Sequence, residues 1–198
     1  MNKLYRYGFW ILFLLLLTSL NYIYFTLNSY SQNKTETTKT KPHSYRLSSF
    51  FIAEKIIGAK VQDINVMNPV NLKNETINLK KTTILILLSN LGCSPCQNRE
   101  LKNLQRLYEL FDSKSINIIA VFNESRNKIL QYKKINKVSF PCFYLESNEI
   151  KQYSFNDKYP QILLVKDNRV VSAFLPVPDD DEFSDWYFKI LYNKILAY

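Results

Sequence analysis

Residues Thr82 to Ser89, Thr-Thr-Ile-Leu-Ile-Leu-Leu-Ser, form an almost unbroken apolar run of strand length. Side chains alternate across a sheet, so a strand of this kind must be covered on both faces. That requirement predicts an α/β domain with helices on either side of a sheet. Leu101, Leu104, Leu107, Tyr108 and Phe111 recur at spacings of three and four, so Cys93 to Asp112 reads as an amphipathic helix. Ile116 to Phe122 is a second buried strand, Glu124 to Asn136 a charged helix with Ile129, Tyr132 and Ile135 on one face, and Cys142 to Leu145 a short strand. Gln161 to Lys166 and Arg169 to Leu175 flank Asp167-Asn168, a dipeptide suited to a two-residue hairpin. Pro176 and Pro178 stop the last strand, and Asp179 to Glu182 load acid onto the start of a closing helix, where the macrodipole favours it. On that helix Trp186, Ile190 and Lys194 share one line, with Leu191 and Ile195 beside it. Upstream, Lys60 to Ile64 and Glu75 to Leu79 read as short strands about a turn at Asn68-Pro69, and Leu47 to Ile57 fits either an amphipathic helix or a packed extension.

The N-terminus carries a second constraint. Lys3 and Arg6 precede an apolar run from Phe9 to Leu27, long enough at about 1.5 Å per residue to span a bilayer. The expected organisation is a membrane anchor at 1–28, a Ser/Thr/Asn/Lys-rich tether at 29–46 and one folded domain at 47–198. A cleaved signal peptide is the rival reading, but Ser29-Tyr30-Ser31 is a poor cleavage site, so an uncleaved transmembrane helix is favoured. The short basic segment ahead of the apolar run places the N-terminus inside and the domain on the extracytoplasmic side. Lys34, Lys39, Lys41 and Arg46 beyond the run count against it.

Composition removes several functions. Three glycines cannot build a glycine-rich phosphate loop. The single histidine, His43, lies at the tether, which excludes histidine-based zinc sites and Ser-His-Asp triads within the domain. The net charge of +9 comes from scattered lysines without a basic, aromatic-interleaved face, so no nucleic-acid partner is expected.

The residues that carry chemistry are Cys93-Ser94-Pro95-Cys96. At the start of a helix, unpaired N–H groups and the macrodipole favour a thiolate. Pro95 is tolerated there because its missing N–H falls at a position that has no helical partner. The expected roles are Cys93 as exposed nucleophile and Cys96 as the more buried resolving thiol. Other readings of the pair are a zinc site with Cys142 and His43, or a purely structural disulfide; a haem site is excluded by Gln97 where histidine is required. Tyr159-Pro160 directly precedes a buried strand, which is consistent either with a cis bond presenting the Tyr159 backbone beside the cysteines, where Tyr159 and Pro160 would offer an extended thiol substrate a pairing edge, or with an ordinary trans turn. Cys142 needs no role beyond that of a small apolar group; the alternative is a second resolving or regulatory thiol.

Taken together, the strand Thr82–Ser89, the Cys93-Ser94-Pro95-Cys96 motif and Tyr159-Pro160 resemble the thioredoxin fold. The apolar N-terminus, the extension from Gly58 to Leu79 and the insert from Phe140 to Tyr153 resemble its membrane-tethered TlpA/ResA-like branch. The resemblance implies a thiol-disulfide oxidoreductase, usually a reductant on the extracytoplasmic face, with Cys93 and Cys96 as redox pair and Pro160 as cis-proline. Protein or peptide thiols and disulfides are the expected substrates, a membrane electron donor is a possible partner, and no cofactor is expected. The chain departs from that branch at Gly92, where an aromatic is common, and at Arg99, where a glutamate is usual and Glu100 stands one place late. Arg99 on the first turns could lower a thiolate pKa if it pointed toward the cysteines. Rival classes are a peroxiredoxin-like peroxidase, whose hydroxyl three residues before the cysteine is Asn90 here, a copper chaperone, which lacks its later histidine here, and an adaptor that holds thiol peptides without turnover.

Overall fold

The computed structural model describes residues 19, 43–111 and 116–196. The chain divides into two units, Met1–Ser44 and Tyr45–Tyr198. The apolar run from Phe9 to Leu27 lies outside the described residues apart from Ser19, and no described helix is long and apolar enough to cross a membrane.

Residues 43–54 form helix α1, which resolves the open reading of Leu47 to Ile57 in favour of a helix followed by a turn. Strands β1 (Ile64–Met67) and β2 (Asn74–Ile77) pair antiparallel. Strand β3 (Thr83–Ser89) leads into helix α2 (Ser94–Leu110), strand β4 (Asn117–Asn123), helix α3 (Arg126–Ile135) and strand β5 (Cys142–Tyr144). A single-turn helix α4 (Ser147–Ile150), which no sequence signal marks, precedes β6 (Gln161–Lys166), β7 (Arg169–Phe174) and the closing helix α5 (Asp181–Leu196).

The strands form one mixed sheet in the order β2-β1-β5-β4-β3-β6-β7. β3 is central: it pairs parallel with β4, Thr83 to Asn117 through Ser89 to Asn123, and antiparallel with β6, Thr83 to Val165 through Leu87 to Gln161. All seven of its residues are buried, as the apolar run requires. Ile84, Ile86 and Leu88 face Leu101, Leu104 and Leu107 of α2, Ile129 of α3 and Phe183, Tyr187 and Leu191 of α5. Leu85 and Leu87 face the opposite core, with Ile119, Val121, Leu163, Val165, Ala53 of α1 and Ile150 of α4. Burying each such Leu or Ile side chain contributes roughly 2 kcal/mol, so the two cores hold β3 rigidly and its last residue gives the site a firm base.

The hairpin between β6 and β7 turns through Asp167 (φ 51°) and Asn168 (φ 57°), the paired left-handed conformations that the dipeptide predicts. Two helical faces differ from expectation. Ile135 is 60% exposed although Ile129 is fully buried, and α5 buries Phe183, Tyr187, Phe188 and Leu191 while Trp186 is 42% exposed. α1 meets α5 through Phe50, whose ring lies 5.3 Å from Phe183 and 5.2 Å from Trp186, and through Arg46, which donates to Asp180 at 2.5 and 2.6 Å.

Candidate active site

Strand β3 ends at Ser89, and the loop through Gly92 delivers Cys93 to the start of α2 as its N-cap residue, with extended backbone (φ −68°, ψ 105°). An N-cap normally accepts from a first-turn N–H through a side-chain oxygen. Here the acceptor is sulfur: the Cys96 N–H donates to Cys93 Sγ at 3.2 Å. Pro95 sits within the first turn, as its missing N–H allows. Cys93 and Cys96 are joined by a disulfide, S–S 2.08 Å, with their Cα atoms 5.2 Å apart. The two sulfurs are not equivalent. Cys93 is half-buried and lies beside exposed Ser94 and Pro95, whereas Cys96 is 3% exposed.

Tyr159 and Pro160 come from the other side of the sheet's end. Their peptide bond is cis, and both residues are buried. The Tyr159 carbonyl accepts from the Cys93 N–H at 3.2 Å, so the cis-proline segment touches the redox pair directly and that carbonyl is already engaged. The structure thus brings together all the residues read from the sequence as a site: Cys93, Ser94, Pro95, Cys96, Tyr159 and Pro160.

Two glutamines to which the sequence reading gave no structural role brace this arrangement. Gln161, fully buried at the start of β6, donates through Nε2 to Ser154 Oγ (2.8 Å), the Asn156 carbonyl (2.5 Å) and the Lys158 carbonyl (2.7 Å), and its Oε1 accepts from the Phe155 N–H (3.0 Å). It shapes the loop that leads into Tyr159-Pro160. Gln97, 1% exposed on the first turns of α2, donates through Nε2 to the Ser89 carbonyl at 2.8 Å. The available signal was a long polar side chain where the pattern asks for an apolar one: Gln97 keeps step with Leu101 and Leu104, and Gln161 opens an apolar strand.

Arg99 does not turn toward the sulfurs. Its guanidinium pairs with Glu100 at 2.7 Å and Asp181 at 2.6 Å, and donates to the Val177 carbonyl at 3.2 Å, which fastens α2 to α5. Glu100 is fully buried and also accepts from Ser184 Oγ at 2.6 Å. Burial pushes its carboxyl above the usual range, against the opposing pull of the Ser184 and Arg99 hydrogen bonds. Cys142 is free, 5% exposed, and its thiol donates to the Phe140 carbonyl at 3.6 Å; burial pushes it up to about 12. No cluster of metal-ligating side chains occurs among the described residues.

A strand–CxxC–helix unit beside a cis-proline, on a mixed sheet with helices on both faces, defines a thioredoxin-fold domain. The chain belongs to the AhpC/TSA family, whose profile matches residues 53–174. Solved structures agree on the fold. A candidate thiol:disulfide interchange protein DsbE from Chlorobium tepidum superposes with a TM-score of 0.56 at 15% identity over 71% of this chain and 96% of its own. A thiol:disulfide interchange protein from Bacteroides sp. gives 0.53 at 19% identity over 66% and 87%. A candidate protein disulfide isomerase from Bacteroides thetaiotaomicron gives 0.57 at 18% identity over 72% and 91%. No curated protein matches the chain.

Proposed function

We propose that this chain is a thiol-disulfide oxidoreductase, tethered to a membrane by its N-terminal apolar segment and acting as a dithiol reductant of extracytoplasmic protein or peptide disulfides. The observation that carries this reading is the Cys93–Cys96 disulfide at the start of α2, with one sulfur half-buried and the other closed in. In the reduced form the Cys93 thiolate attacks a substrate disulfide, forms a mixed disulfide and expels one substrate thiolate, which takes up a proton. The Cys96 thiol gives up its proton, its thiolate attacks Cys93 Sγ and closes the Cys93–Cys96 bond, and the second substrate thiolate is expelled and takes up a proton. Two electrons pass to the substrate, and the closed disulfide is the oxidised product state. A membrane dithiol donor would return the pair to its reduced form. Tyr159 and Pro160 border the disulfide where the substrate segment must approach.

Equilibration of the full-length chain in detergent with glutathione buffers tests the reading. A two-electron couple at or below about −230 mV is expected for a reductant. A value at or above about −150 mV would make it an oxidant or isomerase, and absence of a couple would leave the adaptor reading. The AhpC/TSA match favours one further alternative, a peroxidase. Asn90 stands exposed at the position where that chemistry uses a hydroxyl, so hydrogen peroxide is expected to oxidise the dithiol no faster than an unactivated thiol.

A further inference from the structure

Gly92 precedes Cys93, and the space beside it is taken by a side chain five residues ahead. A Cβ built on Gly92 would lie 2.3 Å from Gln97 Nε2, closer than any real contact, and 3.0 Å from both the Ser89 carbonyl oxygen and Tyr159 Cβ. The space that residue 92 would fill with its own side chain is occupied by the Gln97 amide. That amide donates to the Ser89 carbonyl at 2.8 Å, and the same oxygen accepts from the Gly92 N–H at 2.8 Å. Gln97 Oε1, shut away from solvent, has no hydrogen-bond partner among the described residues. Burying an unmatched acceptor disfavours the folded state, so on packing alone an apolar side chain would serve better at this position. The glutamine keeps its place through the donor.

We propose that Gln97 is the positioning residue of the redox pair. Its side-chain amide ties the first turns of α2 to the last residue of β3 across the loop that carries Cys93. It thereby sets where Cys93 Sγ stands relative to Cys96 Sγ. The stability of a dithiol-derived disulfide against two separate thiols measures how well the chain holds its two sulfurs together. In the exchange, the Cys93–Cys96 disulfide and two glutathione thiols give the Cys93 and Cys96 thiols and one glutathione disulfide, with atoms and electrons balanced. Loosening the strap lowers the effective concentration of one cysteine at the other and shifts this exchange toward the dithiol. The proposal rests on the oxidoreductase reading and names a residue that tunes it.

The test is the glutathione equilibrium of the full-length chain in detergent, measured for wild type and for Gln97→Leu, with Gln105→Leu as the control. Gln105 is another buried amide of α2, bonded to Ser139 and Glu109 away from the cysteines. The expected result is a fall of about tenfold in the equilibrium constant for forming the disulfide in Gln97→Leu, which is about 30 mV toward a more oxidising couple, and a change under twofold in Gln105→Leu. Gln97→Met, which keeps the reach and the fill but removes the donor, and Gly92→Ala, which displaces the amide, carry the same expectation and decide the matter if Gln97→Leu does not fold. Values within twofold of wild type for the Gln97 variants, or an equal shift in Gln105→Leu, overturn the proposal. A wild-type chain with no reversible couple overturns the oxidoreductase reading instead, so the two failures are distinguishable.

Discussion

The three cysteines of this chain stand in two environments. Cys93 and Cys96 stand at the start of α2, where one sulfur is half-buried, the Cys96 N–H donates to it and the two sulfurs share a bond. Cys142 opens β5 inside the core, 5% exposed, with its thiol donating to the Phe140 carbonyl and pushed up to about 12 by burial. The same functional group is therefore one half of a disulfide at a helix start in one place and packing material in the other. Reactivity follows from the electrostatics of a helix start and from access, both of which Cys142 lacks.

This contrast can be broken most sharply at the redox pair itself. Cys93→Ser is expected to reduce disulfide turnover to background, whereas Cys96→Ser should still attack and then accumulate mixed disulfides, which mass spectrometry of the adducts would reveal. Turnover in Cys93→Ser would mean that another cysteine serves as nucleophile. The next largest effect concerns the cation near the site. Arg99→Met leaves Glu100 buried without its counter-charge and should destabilise the fold by about 3 kcal/mol in urea unfolding, with recovery on adding Glu100→Gln. Because Arg99 faces α5, the pH profile of Cys93 alkylation in Arg99→Met should match wild type; a shift would show that the cation reaches the sulfur. Cys142→Ser buries a hydroxyl in an apolar setting and should cost about 1–2 kcal/mol while leaving turnover unchanged. In the reduced wild-type protein, iodoacetamide near pH 8 should label Cys93 at once and Cys142 only after unfolding. The smallest effect is a pH dependence. The Glu100 carboxyl is raised by burial, so the stability it contributes is complete below the ordinary carboxylate range and is lost as pH rises through its raised value. Glu100→Gln should flatten the stability profile in that window, and an unchanged profile would show that Glu100 is ionised throughout.

Much of this arrangement was legible before the structure, for local reasons. Within the apolar run, Thr83–Ser89 became a strand buried at every residue, and Asp167-Asn168 became a left-handed two-residue turn. Cys93 became the N-cap that its place before Ser94-Pro95 suggested. Other features were not legible. Helical spacing grouped Ile135 with Ile129, and Trp186 with Ile190, but spacing identifies residues that share a face and does not say which face is covered. Arg99 sits within reach of a thiolate by sequence, yet its direction depends on Asp181, 82 positions away, and on the Val177 carbonyl. The bracing glutamines Gln97 and Gln161 looked like polar interruptions until their acceptors were in place.

The sequence by itself determined the periodic elements, the turn chemistry, the cysteine motif and the helix start on which it sits, because each depends on residues a few positions apart. Tertiary structure alone decided which helix face meets α5, that Gly92 must leave room for the Gln97 amide, that the Tyr159 carbonyl reaches the Cys93 N–H, and that Cys142 is closed to solvent. Those outcomes depend on groups brought together by packing across the sheet, and the close contacts and desolvation that fix them exist only once the cores on both faces have formed.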